Sequence, residues 1–261
     1  MSEGLPQAFR IALLHLAPEP GDVAANQRAV ERGLAEAAGA GAHWVLTPEL
    51  AVSGYTFAEQ EGIDWICPQP DPWVELLLST LAQSRQTLFL GLPERDPGTG
   101  ALYNTLLVLG PDGVLGRHRK VLTLKGGSEA WSSPGDRVVP VEVAPVGPVG
   151  LLVCADACEP FLARTLAAQG ARLLLSAANW APDRHGPVGE WERVTRDTGL
   201  PLIVCNRTGP GRKLDFRAAQ SVVIVGGQCI FEHASPEPAL ILLDWDFTSG
   251  RLAREPGVAA L

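Results

Sequence analysis

The sequence is short of three things, and each shortage closes off a class of protein. It has no apolar run approaching the roughly 20 residues that a membrane helix requires. The stretch Phe9-Arg-Ile-Ala-Leu-Leu-His-Leu-Ala17 is apolar but short, carries Arg10 inside it and leads into no small-residue cleavage pattern, so it reads as a first strand rather than an export signal. There is no stripe of Lys and Arg: 21 basic against 29 acidic side chains give a net charge of -8 and a pI near 5.2, which argues against nucleic acid and anionic membranes as partners and leaves small solutes. Cysteines are few. Cys67, Cys154, Cys158, Cys205 and Cys229 are odd in number and irregularly spaced, which speaks against a disulfide framework and for free thiols in a reducing cytoplasm. Several catalytic signatures are also missing: no Gly-x-Ser-x-Gly, no His-Glu-x-x-His, no Gly-x-x-x-x-Gly-Lys-Ser/Thr, and no Gly-x-Gly-x-x-Gly opening a helix after a strand.

What is present is an ordinary globular composition, 46% hydrophobic and 19% charged over 261 residues, enough for a sizeable core. No linker, low-complexity tract or internal repeat interrupts it, so residues 1–261 are expected to form a single domain. Strand and helix patterns alternate through the first part: strand Phe9–Leu16, amphipathic helix Val23–Ala38 with Asp22 as N-cap, strand His43–Leu46, helix Pro72–Ser84, strand Thr87–Leu92. A hairpin follows, Leu102–Leu109 and Val114–Leu122 about a Pro-Asp-Gly turn. Strands Val138–Val143 and Val149–Val153, helix Glu159–Gln169, strand Leu173–Ser176, a helix around Val188–Thr198, strand Leu202–Cys205 and a hairpin-like region ending near Asp244 complete the order. Mixed sheets covered by helices fit that pattern.

Three reactive side chains fall where strands stop. Cys154 follows the apolar run Val149–Val153, Glu49 lies just beyond His43–Leu46, and Lys120 closes Arg117-His-Arg-Lys120. Taken singly, each has an unremarkable reading: a buried cysteine filling the core, a surface carboxylate, a solvated strand-end amine. Taken together they supply the three groups that amide hydrolysis needs without a metal, namely a nucleophile, a proton acceptor and a positive charge for the developing oxyanion. In that scheme Cys154 attacks as thiolate, Glu49 takes and returns the proton, and Lys120 with a backbone N–H near Cys154 stabilises the tetrahedral oxyanion. Such a cysteine is expected to be alkylated well below the usual thiol pKa of about 8.5.

Thr47-Pro-Glu49, Arg119-Lys120 and Val153-Cys-Ala-Asp156 resemble, in order, the three signature segments of the nitrilase superfamily of carbon-nitrogen hydrolases. Supporting segments match too: Ser53-Gly-Tyr55, Pro134-Gly-Asp136, Asn179-Trp180 and Cys205-Asn-Arg-Thr-Gly209, and the likeness runs from about Arg10 to about Asp244. The resemblance implies an αββα sandwich of two mixed sheets covered by helices, a Glu49-Lys120-Cys154 triad, no metal, no organic cofactor, and a homodimer or larger homo-oligomer. It implies a linear amide as substrate, hydrolysed through a thioester. A nitrile, or a non-catalytic binding or scaffold role for the same fold, are the alternatives.

Further positions follow from the same resemblance. Relatives carry a second glutamate between the lysine and the Pro-Gly segment, and Glu129 is the only glutamate in that interval, though the loop is about two residues shorter than the common pattern. Many relatives have an arginine a few residues after the cysteine; here Ala157-Cys158-Glu159-Pro160 stands instead, which weakens the case for a carboxylate-bearing substrate unless Arg164 serves. Cys158 reads as pocket wall or core filler. Tyr55, Trp131 and Trp180 are candidates to line the pocket, with core packing as the other reading of each. Asp156 is expected to accept backbone N–H groups at the start of the following helix, and Asn206-Arg207 to brace a strand end, with Arg207 paired to an acid.

Overall fold

The computed structural model describes residues 9–125, 127–182, 186–211 and 213–261. In chain order the elements are β1 (Phe9–His15), α1 (Val23–Gly39), β2 (Trp44–Leu46), α2 (Pro72–Ser84), β3 (Thr87–Arg95), β4 (Leu102–Gly110), β5 (Gly113–Arg119), β6 (Val141–Val143), β7 (Gly147–Val153), α3 (Pro160–Ala168), β8 (Leu174–Ala178), α4 (Glu190–Thr198), β9 (Leu202–Asn206), β10 (Ser221–Val225), β11 (Gln228–His233), β12 (Ala239–Asp246), β13 (Arg251–Leu252) and β14 (Gly257–Ala260).

The helices begin where the sequence supplies caps. Asp22 accepts from the Ala25 N–H ahead of α1, and Asp71 accepts from the Val74 N–H ahead of α2, whose first residue is Pro72. Along α2 the buried residues are Val74, Leu77 and Leu81, the one-face spacing of an amphipathic helix.

Two mixed sheets form. One is eight-stranded in the order β13-β12-β1-β2-β3-β4-β5 with β14 beside β12, the other six-stranded in the order β11-β10-β9-β8-β7-β6. Each has three adjacent parallel strands, β1-β2-β3 and β7-β8-β9, flanked by antiparallel neighbours.

The pleat of β1 shows how the layers stack. Ile11 and Leu13 belong to the cluster that packs against β7 to β10, whereas Ala12 and Leu14 join α1 and α2 on the opposite face. Leu162, Ala163 and Leu166 of α3 and Trp191 and Val194 of α4 cover the six-stranded sheet. The expected αββα sandwich is what the chain adopts. No helix among the described residues is long and apolar enough to cross a membrane, and all five cysteines are free.

Several boundaries differ from the sequence reading. β6 spans only Val141–Val143 rather than starting at Val138, and β8 runs on to Ala178. β5 stops at Arg119, so Lys120 stands just past the strand. A 3-10 turn, Cys154–Cys158, separates β7 from α3, and the helix starts at Pro160. β13 and β14 carry too weak an apolar pattern for the sequence to announce them; all four residues of β14 are exposed.

Candidate active site

The parallel strands deliver their C-terminal ends to one region, where open α/β sheets tend to hold their ligands. Glu49 follows β2, Cys154 follows β7, and Asn179 follows β8. The first two of these positions depend on tight backbone geometry.

Past β2, the Thr47 N–H donates to the Phe89 carbonyl and the Thr47 hydroxyl oxygen accepts from the Gly91 N–H at 2.9 Å, which ties the Glu49 segment down onto β3. A β-carbon on Gly91 would lie 2.2 Å from the Pro48 carbonyl oxygen and 3.1 Å from the Glu49 α-carbon, so only glycine lets the two backbones approach this closely. Gly135 does the same for the lysine. Its N–H donates to the Lys120 carbonyl at 2.8 Å, and a β-carbon there would meet the Arg119 carbonyl oxygen at 2.2 Å. Cys154 sits at φ +46, a left-handed conformation uncommon for a residue with a side chain and of the kind that clusters at functional sites.

These backbones bring Glu49, Lys120 and Glu129 into direct contact. The Lys120 Nζ donates to Glu49 Oε1 at 2.7 Å and to Glu129 Oε1 and Oε2 at 2.7 and 2.8 Å. Glu129, whose reach the shortened loop put in question, is fully buried here and also accepts from the Leu124 N–H. Cys154 is 8% exposed and lies close enough to Glu49, Lys120 and Glu129 to feel all three charges.

Two further residues complete the cluster: Asn104, which the sequence does not single out, and Asn179, which stands in a supporting segment without an assigned role. The Asn104 side-chain amide donates from one nitrogen to both Glu49 Oε1 and Glu129 Oε1, each at 2.7 Å. The Asn179 N–H donates to Glu49 Oε2 at 3.0 Å and faces the Cys154 sulfur, while its side chain donates to the Glu49 carbonyl at 2.7 Å. Asn104 left a trace in the sequence: it is a polar amide in the run Leu102-Tyr-Asn-Thr-Leu-Leu-Val-Leu109, where strands disfavour asparagine. Asn179 acts largely through its backbone, which no residue type advertises.

The electrostatics set the resting protonation. Burial pushes the Glu49 carboxyl up, Lys120 opposes that and Glu129 adds to it. For Lys120 burial acts to lower the pKa, but Glu49, Cys154 and Glu129 outweigh it and hold the ammonium charged. For Cys154 burial comes first and the Glu49 charge second, both raising the thiol well above its ordinary range against the pull of Lys120 and the Asn179 N–H. This reverses the direction expected from sequence: proximity to Lys120 does not yield a resting thiolate, because desolvation of the sulfur and a neighbouring carboxylate dominate.

The remaining candidates are placed as follows. Tyr55 is half-buried and its phenol, raised by burial, is close enough to Glu49, Glu129, Lys120 and Cys154 to sense each. Trp131 packs edge-on against Phe57, ring centroids 5.1 Å apart, in a small cluster with Leu50, Ile66 and Leu102 beside Tyr55. Trp180 packs edge-on against Trp191 at 5.5 Å and against the main core; its N–H donates to the Asn206 side-chain oxygen and its carbonyl accepts from the Asn206 side-chain nitrogen.

Other residues differ from expectation. Arg164 has a 58% exposed side chain and faces Asp197 at 3.8 Å across α3 and α4, a surface pair rather than a substrate contact. Arg207 donates to the Thr208 and Pro210 carbonyls and lies over the Phe216 ring at 4.5 Å; no acid lies within ion-pair distance of it among the described residues, and burial lowers it to about 10 against the opposing charge of Glu19. Asp156 accepts the Val153 N–H that opens the 3-10 turn, as a cap would, and in addition the Val121 and Leu122 N–H groups beside the lysine. Among the described residues no group of three or more His, Cys, Asp or Glu is arranged to hold a metal ion.

Comparison with known proteins yields consistent relatives. The sequence profile of the carbon-nitrogen hydrolase family matches residues 10–234. An (R)-stereoselective amidase from a Pseudomonas species is 29% identical over 232 residues, covering 88% of this chain and 82% of that protein. A nitrilase from Pyrococcus abyssi is 31% identical over 214 residues, covering 79% and 78%. Among solved structures, a variant of the amidase from Nesterenkonia sp. AN1, showing covalent addition of the acetamide moiety of fluoroacetamide at its active-site cysteine, is similar with a TM-score of 0.77 at 28% identity, covering 95% of each chain.

Proposed function

Because this chain belongs to the carbon-nitrogen hydrolase family, and so to the nitrilase superfamily, we propose that it hydrolyses a small-molecule amide to an acid and ammonia or an amine. The observation that carries this reading is the buried contact of Lys120 with Glu49 at 2.7 Å, directly beside the Cys154 sulfur.

In the resting site the sulfur keeps its proton. As the substrate carbonyl arrives, Glu49 accepts that proton and the sulfur forms a bond to the carbonyl carbon. Charge moves onto the carbonyl oxygen, which the Lys120 ammonium and a backbone N–H near Cys154 stabilise. Glu49 returns the proton to the nitrogen, the carbon-nitrogen bond breaks, and the amine leaves a thioester on Cys154. Glu49 then takes a proton from water, hydroxide equivalent adds to the thioester, and the acid departs as the thiol is re-formed. Glu129 and Asn104 hold Lys120 and Glu49 in register throughout, and Tyr55 and Trp131 form an apolar wall that excludes water. The covalent adduct at the cysteine of the similar amidase supports the nucleophile assignment.

The test is to incubate the protein with a panel of aliphatic amides, following ammonia release and the intact mass. An acyl adduct that disappears in Cys154→Ala is expected. Absence of adduct and of ammonia across the panel would sink the amidase reading. A second reading, hydrolysis of a nitrile through a thioimidate, draws on the likeness to the Pyrococcus abyssi nitrilase, and matched nitrile and amide pairs separate the two.

A further inference from the structure

The Asp156 carboxylate is fully buried and accepts four hydrogen bonds. Oδ1 accepts from the Val121 N–H at 3.0 Å and the Leu122 N–H at 2.8 Å; Oδ2 meets the His118 Nε2 at 2.8 Å and accepts from the Val153 N–H at 3.0 Å. His118, Val121 and Leu122 flank Lys120 on both sides, and Val153 and Asp156 itself flank Cys154. One carboxylate therefore joins the chain around the lysine to the chain around the cysteine.

That junction is not made by any sheet pairing. Lys120 leaves β5, the outermost strand of the eight-stranded sheet, whereas Cys154 leaves β7 of the six-stranded sheet, and no ladder connects them. Side-chain packing between sheets is non-directional and fixes spacing only loosely, but four directed bonds on a single rigid carboxylate fix it closely. The arrangement is also strongly held as a charge. Although burial acts to raise the Asp156 pKa, His118 and the backbone donors outweigh it, and the net shift is downward.

We propose that Asp156, with His118 behind it, is a positioning residue that sets the separation between the Lys120 ammonium and the Cys154 sulfur. The proposal rests on the roles given above to Cys154 and Lys120. It goes beyond them in assigning Asp156 a part in the reaction without contact with substrate, where its place at the start of a turn would make it a cap alone. Chemical consequence follows from geometry: a shift of the ammonium away from the sulfur weakens both its stabilisation of the oxyanion and its pull on the thiol proton.

The experiment compares wild type with Asp156→Asn, His118→Ala and His118→Gln. Three quantities are read: kcat and KM for an amide substrate, the pH midpoint of Cys154 alkylation by iodoacetamide, and the thermal transition. Asparagine keeps the shape but turns one acceptor oxygen into a donor facing other donors. Its kcat is expected to fall about 100-fold with KM nearly unchanged, the size of loss that a misplacement of about 1 Å produces. The alkylation midpoint should move upward, since Lys120 lowers the thiol pKa and would act from further away. His118→Ala should show the same two changes to a smaller extent, and His118→Gln, whose amide can still donate, should recover most of both.

A cap with no influence on the site would alter the thermal transition alone. Folded Asp156→Asn and His118→Ala proteins with wild-type kcat and an unmoved alkylation midpoint would overturn the proposal. Should Asp156→Asn not fold, His118→Ala decides, because it leaves the three backbone bonds in place. The two readings fail separately: a wild type that hydrolyses no amide while the midpoint still shifts in the variants refutes the amidase reading and upholds the coupling. An active wild type with unshifted variants does the reverse.

Discussion

Lys120 and Glu129 meet through both carboxylate oxygens, at 2.7 and 2.8 Å, while Glu49 meets the same ammonium through one oxygen at 2.7 Å. One positive charge thus faces two buried carboxylates, and the two are not equivalent. The two-oxygen contact fixes the position of the nitrogen, and the one-oxygen contact leaves Glu49 Oε2 with the Asn179 N–H alone among the described residues. This difference fits the proposed assignment of proton exchange to Glu49 rather than to Glu129.

Glu129→Gln should therefore leave the fold in place and slow catalysis by about 100-fold, because the lysine loses its anchor but not its charge. Steady-state ammonia release measured beside a thermal melt checks this; an unchanged kcat would assign Glu129 to the structure alone.

Alkylation of Cys154 should be slow at neutral pH and should rise only above the ordinary thiol range of about 8.5, since burial and Glu49 both hold the proton on sulfur. Glu49→Gln removes the second cause and should lower the midpoint. The rate of iodoacetamide incorporation at the Cys154 peptide, followed across pH, gives the answer, and a midpoint higher in the variant than in wild type would contradict the assigned electrostatics.

Gly91→Ala places a methyl group 2.2 Å from the Pro48 carbonyl and must push the Glu49 segment off β3. A stability loss of about 1–3 kcal/mol is expected from the overpacking. Activity should fall further than that loss explains, because the displaced backbone carries Glu49. Urea unfolding and kcat measured on the same preparation separate the two effects.

His15 is fully buried beside Ser221, and burial first, then the neighbouring His233, lower its pKa to about 4. The unfolded chain takes up a proton at this residue near pH 6.5, whereas the folded protein does not until about pH 4. Stability from this group is complete above pH 6.5, declines as pH falls through the interval to about 4, and is then constant; the full span is about 3 kcal/mol. His15→Asn should flatten the slope of unfolding free energy between pH 6.5 and 4 in urea titrations, and an unaltered slope would remove His15 as its source.

Much of the layer order is legible in the sequence because apolar runs stop sharply. Leu46, Arg119 and Val153 each end a strand, and Glu49, Lys120 and Cys154 fall just beyond them. The partners are less legible. Asn104 reads as an ordinary polar interruption until the fold brings Glu49 and Glu129 to it from 55 and 25 residues away. Asp156 reads as a local cap because its donors Val121 and Leu122 are 35 and 34 residues distant. The thiol of Cys154 is misread for a different reason: its neighbours in the chain show charge nearby but not the loss of water around the sulfur. Arg207 fails likewise, since an arginine in a turn gives no sign that carbonyl oxygens and a Phe216 ring will stand where a carboxylate is expected.

The division of the cluster between two sheets has a consequence for how the protein loses function. Glu49, Asn104 and Lys120 come from the eight-stranded sheet, Cys154 and Asn179 from the six-stranded one, and no backbone ladder bridges the two. Turnover is then a gauge of the gap between the layers. On gentle heating or in dilute urea, a slip too small to disturb either sheet's ladders would disarm the cluster, and catalytic silence would precede any change in secondary structure.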